Sequence, residues 1–116
     1  MAYIYKIFND VNDKIYIGKT EYSLKNRFSA HCYDALKRSD KTEKRPLYRA
    51  MRKYGVDKFH IELIEETDNP AEREIYWINR LQTYKYGYNA TLGGEGKKYI
   101  DYDLVIEKYL TTKNMA

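Results

Sequence analysis

Residues 3–18 run Tyr3-Ile4-Tyr5-Lys6-Ile7-Phe8-Asn9-Asp10-Val11-Asn12-Asp13-Lys14-Ile15-Tyr16-Ile17-Gly18. Two segments rich in β-branched and aromatic residues, Tyr3 to Phe8 and Lys14 to Ile17, flank the turn formers Asn9 to Asp13. The pattern predicts a β-hairpin. Side chains alternate along a strand, so Tyr3, Tyr5 and Ile7 share one face, and Tyr16 and Gly18 share one face of the second strand. Register decides whether the tyrosines meet.

Downstream of the hairpin the period changes from two to that of a helix. Ser23 is the expected N-cap of a helix running to about Arg38, with Leu24, Phe28, Cys32, Ala35 and Leu36 as its apolar arc. Arg27, His31 and Arg38 project beside that arc, at the margin of the core. Pro46 opens a second helix with Leu47, Ala50, Met51 and Tyr54 inward, Arg49, Arg52 and Lys53 outward, and Gly55 as its stop. Phe59 to Ile64 alternates as a third strand, with His60 and Glu62 on the face opposite Phe59, Ile61 and Leu63. Asn69-Pro70 starts a further helix through about Gln82. Its apolar arc is Ala71, Ile75, Ile78, Leu81 and Trp77, and Glu74 falls inside it. A carboxylate aimed at apolar surroundings is costly unless it is paired, metal-bound or protonated. This helix alone leaves two readings open, a functional acid or a buried glutamate paired with an arginine.

At 116 residues the chain has room for one ordinary domain. It is 43% hydrophobic and 33% charged, which is too much core material for a disordered chain and too much charge for a membrane protein. Its apolar runs fall far short of the roughly 20 residues that cross a bilayer, and its first residues lack the pattern of a secretory signal. Cys32 is the single cysteine, which excludes an intrachain disulfide and a multi-cysteine zinc site and suits a reducing cytoplasm. The net charge of +4 is unevenly spread: residues 1–58 hold 14 lysines and arginines against 7 acids, whereas residues 59–116 hold 7 against 10. Lys37, Arg38, Lys44, Arg45, Arg49, Arg52 and Lys53 concentrate positive charge in the middle of the chain. They are the candidate contacts to a polyanion, or a solvated helix face.

Five elements in order, Tyr3-Ile4-Tyr5, Tyr16-Ile17-Gly18, Arg27 with His31, Glu74 before Trp77, and Gly87-Tyr88-Asn89, resemble the GIY-YIG nuclease family. The resemblance covers residues 3 to about 96. The spacing and the tail Leu92-Gly93-Gly94-Glu95-Gly96 are similar to the phage and intron homing endonucleases. The first motif departs from the family pattern, with Tyr3 where glycine is usual. The resemblance implies an α/β (α+β) domain with a small three-stranded antiparallel sheet flanked by helices, in agreement with the strands and helices read above.

The resemblance further implies hydrolysis of DNA phosphodiesters with one divalent metal, magnesium or manganese, held by Glu74 as its single carboxylate ligand. Arg27 matches the family's catalytic arginine, whose guanidinium holds a phosphate oxygen. Tyr5 and Tyr16 match paired tyrosines, one of which helps to activate or orient the attacking water. A phenol with a pKa near 10 is a poor base at neutral pH, so that role would need a nearby cation such as Lys6, Lys14, Arg27 or the metal. His31, a candidate catalytic residue, matches a position often histidine in this branch of the family, and either contacts phosphate, relays a proton or is a satisfied boundary histidine. Asn89 is implied to tie a late loop to the core, and Gly18 to permit close backbone approach.

The expected organisation is a nuclease domain over 1-92, followed over 93-116 by a Gly-rich linker and one short helix, expected to be the start of a missing DNA-binding region. The expected partner is mainly double-stranded DNA, approached by a monomer in the cytoplasm, that of the host cell if the protein is phage-encoded. Two other readings are a structure-selective repair or recombination nuclease and a catalytically silent DNA-binding module.

Overall fold

A computed structural model describes residues 1–37 and 42–93. Arg38 and the expected tail over 94–116 lie outside the described residues. The hairpin forms from β1 (Ala2–Asn9) and β2 (Tyr16–Thr20), and the chain continues through α1 (Leu24–Lys37), α2 (Pro46–Tyr54), a 3-10 turn (Val56–Lys58), β3 (Phe59–Thr67), α3 (Pro70–Leu81) and the short α4 (Thr83–Tyr86). The three strands make one antiparallel sheet in the order β2-β1-β3, so the hairpin's first strand is central and its second is an edge.

The hairpin loop closes on asparagines. Asn9 Oδ1 accepts from the backbone N–H groups of Val11 and Asn12, and Asn12 Oδ1 accepts from that of Lys14. The long loop defers pairing, so β2 begins at Tyr16, two residues later than the composition predicts. Its register sets Tyr5 opposite Gly18 and Ile7 opposite Tyr16. The tyrosines therefore meet on one face, ring centroids 6.4 Å apart.

That sheet face packs against α1 and α2. Tyr5, Ile7, Ala35, Leu47, Tyr48, Met51 and Phe59 form its core. Ser23 Oγ accepts from the backbone N–H of Asn26, the expected N-cap of α1, and Pro46 and Gly55 bound α2 as expected. The opposite face packs against α3 through a smaller aliphatic core, Ile4, Ile17 and Ile78.

Two residues assigned inward by periodicity lie outward: Leu36 is 62% and Leu81 41% exposed. Both sit in the last turn of their helices, where each helix runs past the edge of what it packs on. His31, expected at the core's margin, is 1% exposed because α2 closes over it and brings Tyr48 to its ring.

Candidate active site

The two layers meet at the β2 edge, around a cavity of about 390 Å³. Tyr16 and Lys19 enter it from β2, Arg27 and His31 from α1, Arg45 and Tyr48 from the start of α2, and Glu74 from α3. Asn89 and Gly93 line it from the segment after α4. The fold thus gathers groups spread from Tyr16 to Gly93 in sequence, because the α1–α2 pair and α3 pack on opposite faces of one sheet.

Glu74 is 5% exposed, inside the apolar side of α3 as its helical phase predicts. Lys19 Nζ lies 3.2 Å from its Oε1, so a lysine supplies counter-charge where the sequence suggested an arginine. Lys19 shares its face of β2 with Ile17, the side covered by α3. A lysine on that otherwise apolar side was the signal available for it. Gly93 presses against the same carboxylate: a Cβ there would fall 3.2 Å from Glu74 Oε1 and 2.9 Å from Ile78 Cδ1, and its φ is +93°. Among the described residues no group of three or more His, Cys, Asp or Glu could hold a metal. The donor set fits a hard cation bound by one carboxylate, with substrate oxygens and water filling its remaining positions.

Arg27 is half-buried, and its Nε donates to Tyr5 Oη at 3.2 Å. This leaves the two terminal nitrogens as the guanidinium's remaining donors. Tyr5 itself is fully buried and is not on the cavity wall, whereas Tyr16 is. The paired tyrosines therefore occupy different positions, Tyr5 behind the wall and Tyr16 in it. Lys6 pairs with Glu62 and Lys14 lies over the Tyr88 ring, so of the three side chains considered for the phenols Arg27 is the one that acts on them. Burial pushes the Tyr5 phenol up to about 12 against the pull of Arg27, and burial drives Tyr16 upward as well. Both are neutral at physiological pH.

Gly18 explains how Tyr5 reaches Arg27. A Cβ on residue 18 would lie 2.4 Å from the Tyr5 ring and hydroxyl, so the ring crosses directly over the glycine. His31 bridges two phenols: Nε2 is 2.7 Å from Tyr5 Oη and Nδ1 is 2.8 Å from Tyr48 Oη. Burial, aided by Arg27 and Arg45, pushes its pKa down to about 3, so the ring is neutral. With both nitrogens occupied, it has none to offer a phosphate in this arrangement. Tyr48 is absent from the sequence-derived site, although it stands three residues before the inward Met51, a helical spacing that places it on the same side.

Asn89 is buried against β2. Its Oδ1 accepts from the Ile17 N–H and its Nδ2 donates to the Ile17 carbonyl, both at 2.8 Å, which clamps the late loop to the exposed edge of β2. Of the basic candidates, Arg45 reaches the cavity; Lys37, Lys44, Arg49 and Lys53 are exposed nearby in sequence. Arg52 departs from the expectation of a free outward charge. Its guanidinium donates to the carbonyls of Ala35 at 2.9 Å and Glu43 at 2.6 Å, holding the last turn of α1 and the following loop.

A three-stranded α/β domain that collects a buried carboxylate, a guanidinium and a phenol in one polar cavity has the layout of a phosphodiester-cleaving domain. Residues 1–89 match the family model of the GIY-YIG catalytic domain. Two solved structures of the catalytic domain of the homing endonuclease I-TevI, one of them a mutant, superpose with TM-scores of 0.65 and 0.67 at 30% identity. Each covers 78% of this chain, and this chain covers 99% and 93% of them, respectively. The chain belongs to the GIY-YIG family and carries a nuclease catalytic domain of that family.

Two viral relatives share the region. Protein 146R of Invertebrate iridescent virus 6, named for an MSV199 domain, is 37% identical over 96 residues, 83% of this chain and 38% of that protein. A protein of Enterobacteria phage T4 bearing the name endonuclease segB is 34% identical over 102 residues, 81% of this chain and 39% of its own length. The chain thus spans under two fifths of these curated relatives.

Proposed function

We propose that this domain is a magnesium-dependent DNA endonuclease, acting as the catalytic part of a homing-type enzyme on double-stranded DNA. The observation that carries the reading is the buried Glu74 carboxylate facing the same cavity as Arg27 and Tyr16. Burying an acid at a cavity wall is expensive, and a hard cation held by Glu74 would add to the compensation that Lys19 supplies.

In this reading Glu74 holds the metal. A bound magnesium or manganese ion supplies charge stabilisation at the phosphate and the leaving oxygen. Arg27, anchored through Nε, directs its terminal nitrogens to a non-bridging phosphate oxygen and binds it more strongly as negative charge accumulates. Tyr16 presents a neutral hydroxyl that orients the attacking water. Tyr5 and His31 hold Arg27 from behind, and Lys19 neutralises Glu74 in the free protein and adds positive charge to the wall. The homing assignment rests on the likeness to I-TevI and segB, and in it a monomer works in the cytoplasm of a host cell.

Supercoiled plasmid incubated with magnesium tests the reading. Wild type should nick it and a chelator should stop it. Glu74→Ala and Arg27→Ala should each lower the rate by at least about 100-fold, the scale of losing a transition-state charge contact. Nicking by Glu74→Ala at the wild-type rate refutes the assignment. Retained DNA binding without cleavage under any divalent metal favours the silent binding module.

A further inference from the structure

Hydrogen-bond accounting at the buried end of Arg27 fixes the direction of a whole chain of groups. Tyr5 is fully enclosed, and its oxygen has two partners, Arg27 Nε and His31 Nε2. A guanidinium can only donate, so the Tyr5 hydrogen has one acceptor available, His31 Nε2. The imidazole is neutral, so its single hydrogen sits on Nδ1 and is donated to Tyr48 Oη at 2.8 Å. Arg27 from α1, Arg45 from the start of α2 and the phenols of Tyr5, Tyr16 and Tyr48 surround the ring. The chain therefore runs one way, from Arg27 through Tyr5 and His31 to Tyr48.

Tyr48 is 3% exposed and stands in the cavity wall. Its oxygen accepts from His31, and its own hydrogen meets no acceptor among the described residues. Buried donors are rarely left unpaired, and the space open to this one is the cavity.

We propose that Tyr48 is a further catalytic residue, whose hydroxyl donates a hydrogen bond to a non-bridging oxygen of the substrate phosphate held by Arg27. The inference rests on the nuclease reading above. It adds a second donor to the wall. Each donation along the chain withdraws electron density from the next group, so the Arg27 charge strengthens the Tyr48 donor through the protein as well as across the cavity. The contact is worth most when the phosphate oxygens carry most charge, so it acts on turnover more than on affinity.

Nitrogen-15 NMR of histidine-labelled protein near pH 7 tests the chain, with no variant required. His31 should be the neutral Nδ1–H tautomer; the Nε2–H tautomer overturns the proposal. Plasmid nicking with magnesium tests the contact. Tyr48→Phe should keep KM and lose about 10- to 100-fold in kcat, the scale of a hydrogen bond to a charged group. An unchanged kcat, or a loss confined to KM, overturns it. Should Tyr48→Phe fail to fold, 3-fluorotyrosine at position 48 keeps the ring and hydroxyl while making it more acidic; it must then change kcat at constant KM, and an unchanged kcat overturns the contact. Failure of the parent reading is separately recognisable, because Glu74→Ala would then cleave like wild type while the tautomer remains as found.

Discussion

The two faces of the sheet are built on different principles. The face under α3 is small and dry, three isoleucines with Ile15, Ile64 and Trp77 around them. The face under α1 and α2 is larger and aromatic, with a hydrogen-bonded string of Tyr5, His31 and Tyr48 running through it. The face under α3 carries Glu74 beside Lys19, and Glu65 bonded to Arg73 and Trp77 of the helix, and the other face carries the guanidinium and the phenols. Aliphatic packing and the Lys19 ammonium hold Glu74, whereas the aromatic side aims Arg27 through a string of hydrogen bonds. The site exists only where β2, the edge strand between them, lets both reach one cavity.

The largest effect should come from breaking the dry face. Ile4 is fully buried on β1, away from the cavity wall, and packs with Ile17 and Ile78. Ile4→Ala should cost about 2 to 5 kcal/mol, measured by urea denaturation, because three isoleucines leave little material to refill the void. In the folded fraction the His31 ring resonances should stay near their wild-type positions. Movement of both faces together would show that the cores are not independent.

A smaller loss of stability, with a larger loss of activity, is expected on the polar face. Gly18→Ala puts a methyl group 2.4 Å from the Tyr5 ring, so the ring must move away. Overpacking of this kind costs about 1 to 3 kcal/mol, and the displaced hydroxyl no longer anchors Arg27. The melting temperature should fall by a few degrees while plasmid nicking falls by more than the folded fraction accounts for. Loss of stability alone would leave the Tyr5 to Arg27 bond without a role.

Much of this architecture is legible in the chain. The hairpin is visible in Tyr3 to Gly18, and α3 in Asn69-Pro70, because turn residues and an N-terminal proline act locally. Glu74 stands out because one charge breaks a helical arc, and the order of the motifs brings Arg27, His31 and both tyrosines to the same domain. Lys19 and Tyr48 escape notice for a common reason. Each looks ordinary on its own element, a charged residue on a strand and an aromatic beside a core helix, and each gains its role from a partner more than 15 residues away. Arg52 misleads in the opposite sense. Its helical phase is outward, but a long side chain folds back to reach carbonyls that no local pattern reveals.

The third effect is graded in pH, close to nothing near neutrality and growing as acid is added, and it separates the faces through their titration. His31 has an ordinary value of 6.5 that the fold pushes down to about 3 by burial and by Arg27 and Arg45. Below 6.5 the unfolded chain takes up a proton that the folded ring refuses, so the unfolded state binds more protons and stability falls as pH falls. The contribution is fully present above 6.5 and is lost between 6.5 and about 3, at up to about 1.4 kcal/mol per pH unit. The window from pH 6.5 down to about 5 lies above the ordinary carboxylate range, and there the His31 contribution reads most directly. His31→Gln should be less stable than wild type at pH 7.5 yet show a flatter decline of melting temperature over that window, followed by calorimetry. An equally steep decline in the variant would mean that the buried imidazole does not govern it, and that the polar face holds its charge balance by other groups.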